Sequence, residues 1–395
     1  MKILVVCQYY YPEPFRISDI CETLVKRGHD VTVLTGLPNY PKGRILDEYR
    51  NGKKRNEELN GVKVIRSFEI GRGNNKLMLF LNYFSFAMTA SLKAMFLREK
   101  HDVILVNQLS PVMMAFPAIV YKRKHKKKIL LYCLDLWPDS LAAGGIDESS
   151  IIYKLFLKIS KWIYNSADSI AVTSSMFKGY FKNRLGMKVD NIYHLPQYAE
   201  DIFTDHIEIN RNCKCNFVFA GNIGDMQSVE TIVKAANELK KFSQITFHII
   251  GDGSKLEECK LLSNKFGLEN IIFYGRRPLG EMPKYYAMAD AMIITLKNNK
   301  AISYTLPGKV QSYMAAGKPI IGAINGETNY VIKEAECGFC CEAEDYKELA
   351  NLIVQFCDSD NKEKMGKNSY QFYTRNYTKE KFMTVLENNL IKLGD

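Results

Sequence analysis

Several features are scarce or missing in this 395-residue sequence, which has only two Trp and six His. No Cys pair is followed by His at the spacing of a zinc finger, and no strand carries an RNA-recognition signature. The first residues, Met-Lys-Ile-Leu-Val-Val, do not form a basic leader with a long apolar stretch and a cleavage site. They predict a first strand rather than an export signal. The lack of zinc-finger and RNA-recognition signatures argues against nucleic acid as the partner of a chain with a net charge of +11.

Metal binding is not favoured either. The ten Cys are scattered, as in a reduced cytoplasmic protein. Cys213, Cys215, Cys337 and Cys340 could together supply zinc ligands, but Cys340 lies in an apolar, strand-like patch and no His flanks the set. Asp residues do not cluster at predicted strand ends. We therefore expect no zinc site, no other metal and no cofactor.

The length and the charge point to a two-domain protein with an anionic partner. A chain of 395 residues exceeds one ordinary hydrophobic core, and 47% apolar residues are enough for well-packed domains. The net charge of +11 suits a phosphate-bearing ligand or an anionic membrane.

The first half alternates short apolar runs with helical patterns. Strands are predicted at 3–7, 31–34, 62–65, 103–106, 129–133 and 169–172. Helices are predicted between them, for example at 18–26 and 174–184. Continuous apolar strands separated by helices indicate a parallel sheet that is covered on both faces.

The same pattern restarts after a polar, weakly periodic segment at 196–215. Strands are predicted at 216–220, 245–250, 271–274, 291–295 and 319–322, with a helix at 228–241 and a last helix at 379–392. We therefore predict an α/β protein with two Rossmann-like, doubly wound domains, at 1–196 and 216–377. A C-terminal helix at 378–395 follows.

Two segments of the first domain suggest contact with a membrane. Residues 77–97 are largely apolar and approach the length of a span, but Asn82, Ser85, Thr89, Ser91 and Lys93 interrupt them. Because the segment lies between two strands of one sheet, we expect a buried or surface-docked helix. A basic run follows, in which each charge can contribute about 1 kcal/mol near anionic lipid: Lys122, Arg123, Lys124, Lys126, Lys127 and Lys128. A solvated helix end is the alternative.

The segment 305–319 predicts a helix that starts beside an anion. Pro307 is suited to the start of a helix, and Lys309 places a cation in the first turn, where the helix dipole prefers an acid. A bound anion, such as the phosphate of a ligand, would make that arrangement favourable. An ordinary surface helix start is the alternative interpretation.

Three turns after predicted strands add to this pattern. The first, at 219–227, contains Gly221 and Gly224, and the second contains Gly251 and Gly253; glycines let a backbone approach a phosphate closely. The third, at 273–278, carries the guanidinium groups of Arg276 and Arg277. Each turn is also compatible with a purely structural role.

These segments together resemble the retaining GT-B glycosyltransferases of the family 4 type. The resemblance includes Pro-x-Lys at 307–309, Tyr-x-Ala-x-Gly-x-Pro at 313–319 and Gly-His-x-Val at 28–31. Residues 8–16, the Leu-Pro-Asn-Tyr-Pro segment at 37–41 and Asp-Leu-Trp-Pro at 135–138 are similar to a bacterial branch that transfers N-acetyl-fucosamine-type sugars. The resemblance covers nearly the whole chain.

The resemblance implies a nucleotide sugar bound in a cleft between two facing domains. Residues matching donor-binding segments are Gly221, Asn222, Gln227, Gly251, Gly253, Arg276, Ser303, Tyr304, Pro307, Gly308, Gln311 and Ser312. Candidate catalytic residues are Lys309, Arg16 as a second diphosphate ligand, and Glu13 or Asp135, which could orient or deprotonate the acceptor hydroxyl. For Asp135 the alternative is a helix start or turn, which Asp-x-x-Pro also predicts. The helix at 378–395 would return to the first domain.

The chain departs from the family pattern at several charged positions. Neutral Asn222 and Gln227 replace an Arg and a Lys, while Tyr304 and Ser312 replace the two acids of a Glu-x7-Glu pair. Gln311 could bind the ribose hydroxyls in place of the second acid. Asn107 and Gln108 stand where many relatives have an active-site His.

The predicted function is a retaining transfer of a sugar from a UDP-linked donor to a lipid-linked saccharide of O-antigen or capsule assembly. The sugar is expected to be an N-acetylated deoxyhexosamine, and the enzyme is expected on the inner face of the cytoplasmic membrane. Two alternatives are open: a non-hydrolysing UDP-sugar epimerase, and a non-catalytic, membrane-associated partner protein.

Overall fold

The computed structural model describes residues 1–204 and 215–395, which form two compact units. The first unit comprises Met1–Leu195 and Met383–Asp395, and the second comprises Pro196–Phe382. Cys213, one of the Cys considered for zinc, lies outside the described residues.

The first unit is built on an eight-stranded sheet. Its strands are β1 (Lys2–Val6), β2 (Asp30–Thr35), β3 (Asn56–Leu59), β4 (Val62–Arg66), β5 (Val103–Gln108), β6 (Lys128–Cys133), β7 (Ser169–Val172) and β8 (Ile192–His194). They follow the order β3-β4-β2-β1-β5-β6-β7-β8. All neighbouring pairs are parallel except β3 and β4. The central strands are buried along almost their whole length because helices cover both faces.

The helices of the first unit are α1 (Ile17–Lys26), α2 (Lys76–Phe96), α3 (Phe116–His125), α4 (Asp139–Ala143), α5 (Ile151–Ser166) and α6 (Met176–Asn183). From β4 onward each crossover leads towards β8, whereas α1 leads from β1 in the opposite direction. Because parallel crossovers are right-handed, α2, α3 and α5 lie on one face of the sheet and α1 lies on the other.

The second unit has a six-stranded sheet in which every pair is parallel, with the order β11-β10-β9-β12-β13-β14. Its strands are β9 (Cys215–Ala220), β10 (Ile245–Ile250), β11 (Ile271–Gly275), β12 (Ala291–Thr295), β13 (Ile320–Ala323) and β14 (Gly338–Cys341). Its helices are α7 (Val229–Glu238), α8 (Leu256–Phe266), α9 (Met282–Ala287), α10 (Lys300–Ser303), α11 (Gly308–Ala315), α12 (Glu327–Glu334), α13 (Tyr346–Cys357) and α14 (Lys362–Asn376).

The predicted fold class, with two Rossmann-like α/β domains, is confirmed. All eleven predicted strands exist, with ends shifted by at most two residues. The prediction missed β3, β8 and β14, which lie at the sheet edges. Burial along β3 alternates between exposed and half-buried residues, and β8 has three residues, so neither carries the continuous apolar run of a central strand.

The last helix, α15 (Lys379–Gly394), begins in the second unit, and its residues from Met383 onward belong to the first. Glu387 anchors it there by accepting from Arg27 at 2.6 Å and by lying 2.7 Å from His29. The Gly-His turn before β2 is thus held by the C-terminal helix, which gives His29 a structural role.

Within the described residues, α2 is the one helix long and apolar enough to cross a membrane by length and composition alone. It has 21 residues, and only 28% of its most apolar window is buried. Asn82, an interrupting polar residue, points inward, where its amide donates to the Ile70 carbonyl and accepts from Gln8. Asn82 therefore interrupts the apolar run because its side chain forms hydrogen bonds inside the first unit.

Candidate functional site: an anion cradle in the second unit

Helix α11 is fixed against the carboxyl end of β9 by one side chain. The Tyr313 hydroxyl donates to the Ala220 carbonyl at 3.0 Å and accepts from the Ala220 N–H at 3.1 Å. Lys309 lies four residues earlier, on the same face of the helix. The tyrosine therefore aims the first turn of α11, including Lys309, at the turn that follows β9.

Glycines let three backbone segments meet around this lysine. A Cβ placed on Gly221 would lie 2.7 Å from the Lys309 Nζ, and one on Gly251 would lie 1.8 Å from the Gly221 carbonyl oxygen. At Gly253 it would lie 2.5 Å from the Ile223 carbonyl oxygen. All three glycines have φ between 148° and 156°, a conformation that side chains disfavour. The turns after β9 and β10 are thus packed backbone to backbone beneath the start of α11.

The Lys309 amine is buried here without a hydrogen-bond acceptor among the described residues. Its Nζ lies over the face of the Phe219 ring, 3.9 Å from the ring centroid, in a cation–π contact. Burial lowers the pKa of Lys309 to about 7. A shielded amine beside an open helix N-terminus is a site where an anion would gain both a charge-assisted hydrogen bond and the helix dipole.

In the turn after β9, the neutral side chains of Asn222 and Gln227 bond to each other. Asn222 Nδ2 donates to Gln227 Oε1 at 2.9 Å, and the Gly224 N–H donates to the same oxygen at 3.1 Å. These bonds fix the turn that carries Gly221. The structure therefore brings Gly221, Asn222, Gln227, Gly251 and Gly253 together with Lys309, and their roles in ligand binding stay predictions.

The polar residues further along α11 face a different environment. Gln311 is fully buried, and its amide nitrogen donates to the carbonyls of Pro307 and Gly308 at the start of its own helix. Ser312 Oγ donates to Glu200 Oε2 at 3.3 Å. The Glu200 carboxylate, from the segment before β9, thus lies beside Ser312, the position at which the family pattern has an acid. Sequence analysis missed Glu200 because it assigned 196–215 to the linker.

The remaining donor-site candidates lie around these elements. Pro307 and Gly308 begin α11, and the Gly308 Cα faces the Gln197 side chain. Ser303 ends α10, where its Oγ donates to the Asn299 carbonyl, and Tyr304 follows it. Arg276 is exposed in the loop after β11, the edge strand. The roles of these residues in ligand binding stay predictions.

A second polar cluster forms in the first unit, where the loops after β1, β2 and β4 meet. Glu13 is 4% exposed, and its Oε1 accepts from the backbone N–H groups of Asn39 and Tyr40. The Asn39 amide donates to Glu69, a fully buried acid that also accepts from Gln8. Desolvation raises the pKa of Glu13 to about 7 and raises that of Glu69 well above its usual value.

Asn39 is the centre of this cluster, since its Oδ1 also accepts from the Arg72 N–H. The sequence signal for it is the Leu-Pro-Asn-Tyr-Pro segment, in which nothing singles out Asn39. Glu69 had no such signal, because an isolated acid after a strand does not differ from a solvent-exposed one in sequence.

The other first-unit candidates occupy separate positions. Arg16 occupies the N-cap position of α1, and its side chain makes no capping hydrogen bond to the helix. Asp135 follows β6 and accepts from the Ser110 N–H at 2.9 Å; its pKa is raised by burial. In the basic run, Arg123, Lys124, Lys126 and Lys128 are exposed, while Lys122 pairs with Asp168 and Lys127 is half-buried.

Residues 1–204 and 215–395 contain no group of three or more His, Cys, Asp or Glu side chains arranged to hold a metal ion. The described Cys are free thiols.

Comparisons with known proteins agree with this architecture. The model of the Glycosyltransferase Family 4 matches residues 16–197, and that of the Glycosyl transferases group 1 matches residues 206–372. A probable glycosyltransferase of Pseudomonas aeruginosa, WbjE, is 28% identical over 277 residues, which are 67% of this chain and 68% of the relative. A putative colanic acid biosynthesis glycosyl transferase of Escherichia coli K12, WcaI, is 23% identical over 80% of this chain and 82% of its own.

Solved structures share the fold over nearly the whole length. The sucrose-phosphate synthase of Thermosynechococcus elongatus has a TM-score of 0.77 at 16% identity and covers 99% of this chain and 98% of its own. Anabaena HepE, solved in complex with UDP and glucose, has a TM-score of 0.71 at 14% identity, with 99% of each chain covered. With two Rossmann-like units and a glycosyltransferase family match in each, this chain is a glycosyltransferase of the GT-B fold.

Proposed function

We propose that this glycosyltransferase moves a sugar from a UDP-linked donor to a lipid-linked saccharide, with retention of configuration, in O-antigen or capsule assembly. The observation that carries the proposal is the Lys309 amine, buried without a described acceptor at the start of α11. An unpaired cation of this kind is costly unless a ligand compensates it. The diphosphate of a nucleotide sugar has the required charge.

The chemical task assigned to this site is stabilisation of the leaving group. When the bond between the sugar and the diphosphate breaks, negative charge develops on the departing UDP. Lys309 and the N–H groups of the first turn of α11 are fixed in place by Tyr313 and so need no reorganisation during the reaction. The proposal assigns this role to the helix and the lysine rather than to a metal ion.

Named relatives support parts of the proposal. HepE was solved with UDP, which favours a uridine donor here, and the name of WcaI refers to the biosynthesis of colanic acid. An N-acetylated deoxyhexosamine such as N-acetylfucosamine is proposed because the chain is similar to the bacterial branch that transfers such sugars. The similarity includes the segments at 8–16, 37–41 and 135–138 and also Pro-x-Lys-x-Gln-x-Tyr at 307–313.

For the acceptor side we propose Glu13, with Asp135 as the second candidate. A base works best when its pKa lies near the working pH, and the pKa of Glu13 is raised to about 7 by burial. Two backbone N–H groups hold its carboxylate in a fixed orientation. Arg16 is proposed as a further ligand of the diphosphate.

A lipid-linked acceptor requires contact with a membrane, and we propose that the first unit provides it. The outward positions of α2 are apolar and exposed, at Leu77, Phe80, Phe84, Met88, Leu92 and Met95. The basic end of α3 lies beside them, because the Lys124 amine donates to the Met95 carbonyl. We propose that this surface lies on the inner face of the cytoplasmic membrane, as a peripheral attachment.

The proposal is tested by incubating the purified protein with a panel of UDP-sugars and an extract of lipid-linked saccharides, with products identified by mass. The expected result is an acceptor heavier by one sugar residue and an equal amount of UDP. Epimerised UDP-sugar without acceptor would identify an epimerase instead. Absence of both products and of UDP binding in calorimetry would leave a non-catalytic partner protein.

Binding of UDP is expected to weaken as pH rises above neutrality. In the free protein Lys309 has a pKa of about 7, below that of the unfolded chain, because the charged form is desolvated. An anion favours the charged form, so binding takes up a proton wherever free Lys309 is neutral. The affinity should fall by up to about tenfold per pH unit between about pH 7 and 9.

Calorimetry in two buffers of different ionisation enthalpy measures this proton uptake directly. Lys309→Met is the control, because it keeps the length of the side chain and removes the titrating group. Equal pH dependence in the two proteins would exclude Lys309 as the cause.

A further inference from the structure

Helix α5 presents large apolar side chains on its outer face. Ile151 is 85% exposed, Leu155 is 54% exposed and Trp162 is 43% exposed. At 3.6 residues per turn, positions 151, 155 and 162 project in nearly one direction. The inner face, with Tyr153, Ser160, Ile163 and Tyr164, is buried against the first unit. An outer helix of a freely soluble domain usually has polar residues at the outward positions.

Lysines lie along one flank of this apolar stripe. Lys154, Lys158 and Lys161 are all exposed, at positions that alternate with the apolar ones along the helix. A helix with Trp, Ile and Leu on one face and Lys beside them is typical of segments that lie in the plane of a membrane interface. The lysine stems can follow the apolar surface while the amines reach the lipid headgroups.

The stripe is continuous with the basic end of α3. The Arg123 guanidinium lies 5.5 Å from the centroid of the Trp162 ring, and Phe116 meets the same ring edge to face at 5.7 Å. Helix α3 in turn packs against α2, whose outward residues are also apolar. Since α2, α3 and α5 share one face of the sheet, the two apolar stripes lie on either side of a basic strip.

We propose that α5 is a second membrane-docking helix, which lies flat on an anionic bilayer together with α2. The inference extends the proposed membrane-bound acceptor by naming α5 as a contact and anionic headgroups as its ligand. The charge of the surface decides against a second copy of this chain. Two such faces brought together would oppose the exposed cations of α3 and α5 to one another, whereas anionic lipid neutralises them.

The test is binding of the full-length protein to vesicles of phosphatidylcholine, with and without phosphatidylglycerol. Ile151→Asp combined with Leu155→Asp should weaken binding to the anionic vesicles by at least about tenfold, since two apolar anchors are lost and two like charges are added. Both residues are exposed, so the circular dichroism spectrum and the melting temperature should stay unchanged. Leu261→Asp, at a leucine of α8 that is 68% exposed, controls for placing an Asp at an exposed apolar position and should bind as the unmodified protein does.

A second readout reports on the helix itself. The emission of Trp162 should shift to shorter wavelength on addition of the anionic vesicles, and Trp162→Phe should remove the shift, because the other Trp, Trp137, is buried. Unchanged vesicle binding in the double variant would overturn the inference. So would a dimer, detected by light scattering, that the double variant dissociates.

Transfer to a water-soluble saccharide separates this inference from the proposed function. If α5 docks on lipid, the double variant keeps its activity on the soluble saccharide but no longer binds the anionic vesicles. If the double variant loses vesicle binding and neither protein forms product, the membrane contact stands and only the proposed donor and acceptor are overturned.

Discussion

Lys309→Ala is expected to lower turnover by about 10²–10³-fold, the usual effect of removing one preorganised group that stabilises a developing negative charge. The Lys309 amine is shielded from solvent and held over the Phe219 ring, so no other described cation occupies its place beside Gly221. Affinity for UDP should fall as well, by the equivalent of about 1.5–3 kcal/mol for a hydrogen bond to a charged group. Steady-state kinetics and calorimetry measure the two effects separately.

The fold should survive this change. The Lys309 amine is buried without a described partner and burial disfavours its charged form, so Lys309→Met should unfold at the same temperature as the unmodified protein or higher. Lys333→Ala, at an exposed lysine of α12, controls for the loss of one positive charge from the second unit. Near-normal turnover in Lys309→Ala would exclude the leaving-group role, while a matching loss in Lys333→Ala would point to net charge instead.

Gly251→Ala is expected to destabilise the second unit by at least about 3 kcal/mol, at the upper end of what overpacking usually costs. Its Cβ would lie 1.8 Å from the Gly221 carbonyl oxygen, and φ is +151°. The two turns would have to separate, which also withdraws Gly221 from Lys309. For a unit of this size the melting temperature should fall by about 6–12 °C, and UDP binding should be lost.

A second glycine separates the effect of close approach from that of backbone conformation. Gly267 ends α8 with φ +60°, and a Cβ there would meet no atom within 4 Å. Gly267→Ala should therefore cost only the left-handed conformation, about 1–2 kcal/mol, with UDP binding intact. If the two variants lost the same stability, the contact between the turns after β9 and β10 would not be what requires Gly251.

Much of the fold could be predicted because its signals are local. A buried parallel strand is a continuous apolar run, and eleven of fourteen strands were found this way. The three missed strands lie at sheet edges, where partial exposure or short length removes that run. The start of α11 at Gly308 was equally local, since Pro307 and the following residues set it.

The candidate site, too, could be predicted only where its signals are local. Sequence indicated Lys309, Gly221, Gly251 and Gly253, because each occupies a turn or a helix start of recognisable composition. Sequence did not indicate that Gln311 turns inward or that Glu200 reaches Ser312. Those contacts depend on which face of α11 packs against the core and on a segment more than 100 residues away.

By itself the sequence determined the two-domain α/β architecture, the excess of positive charge and the residue types around the anion cradle. Only the tertiary structure decided that the Lys309 amine is buried against Phe219, and that Glu13 and Glu69 share one cluster through Asn39. It also showed that the outer stripe of α5 is open to solvent, although its apolar residues resemble core positions in sequence. The physical reason is that composition and periodicity are properties of neighbouring residues, whereas desolvation depends on what the whole fold places around a group.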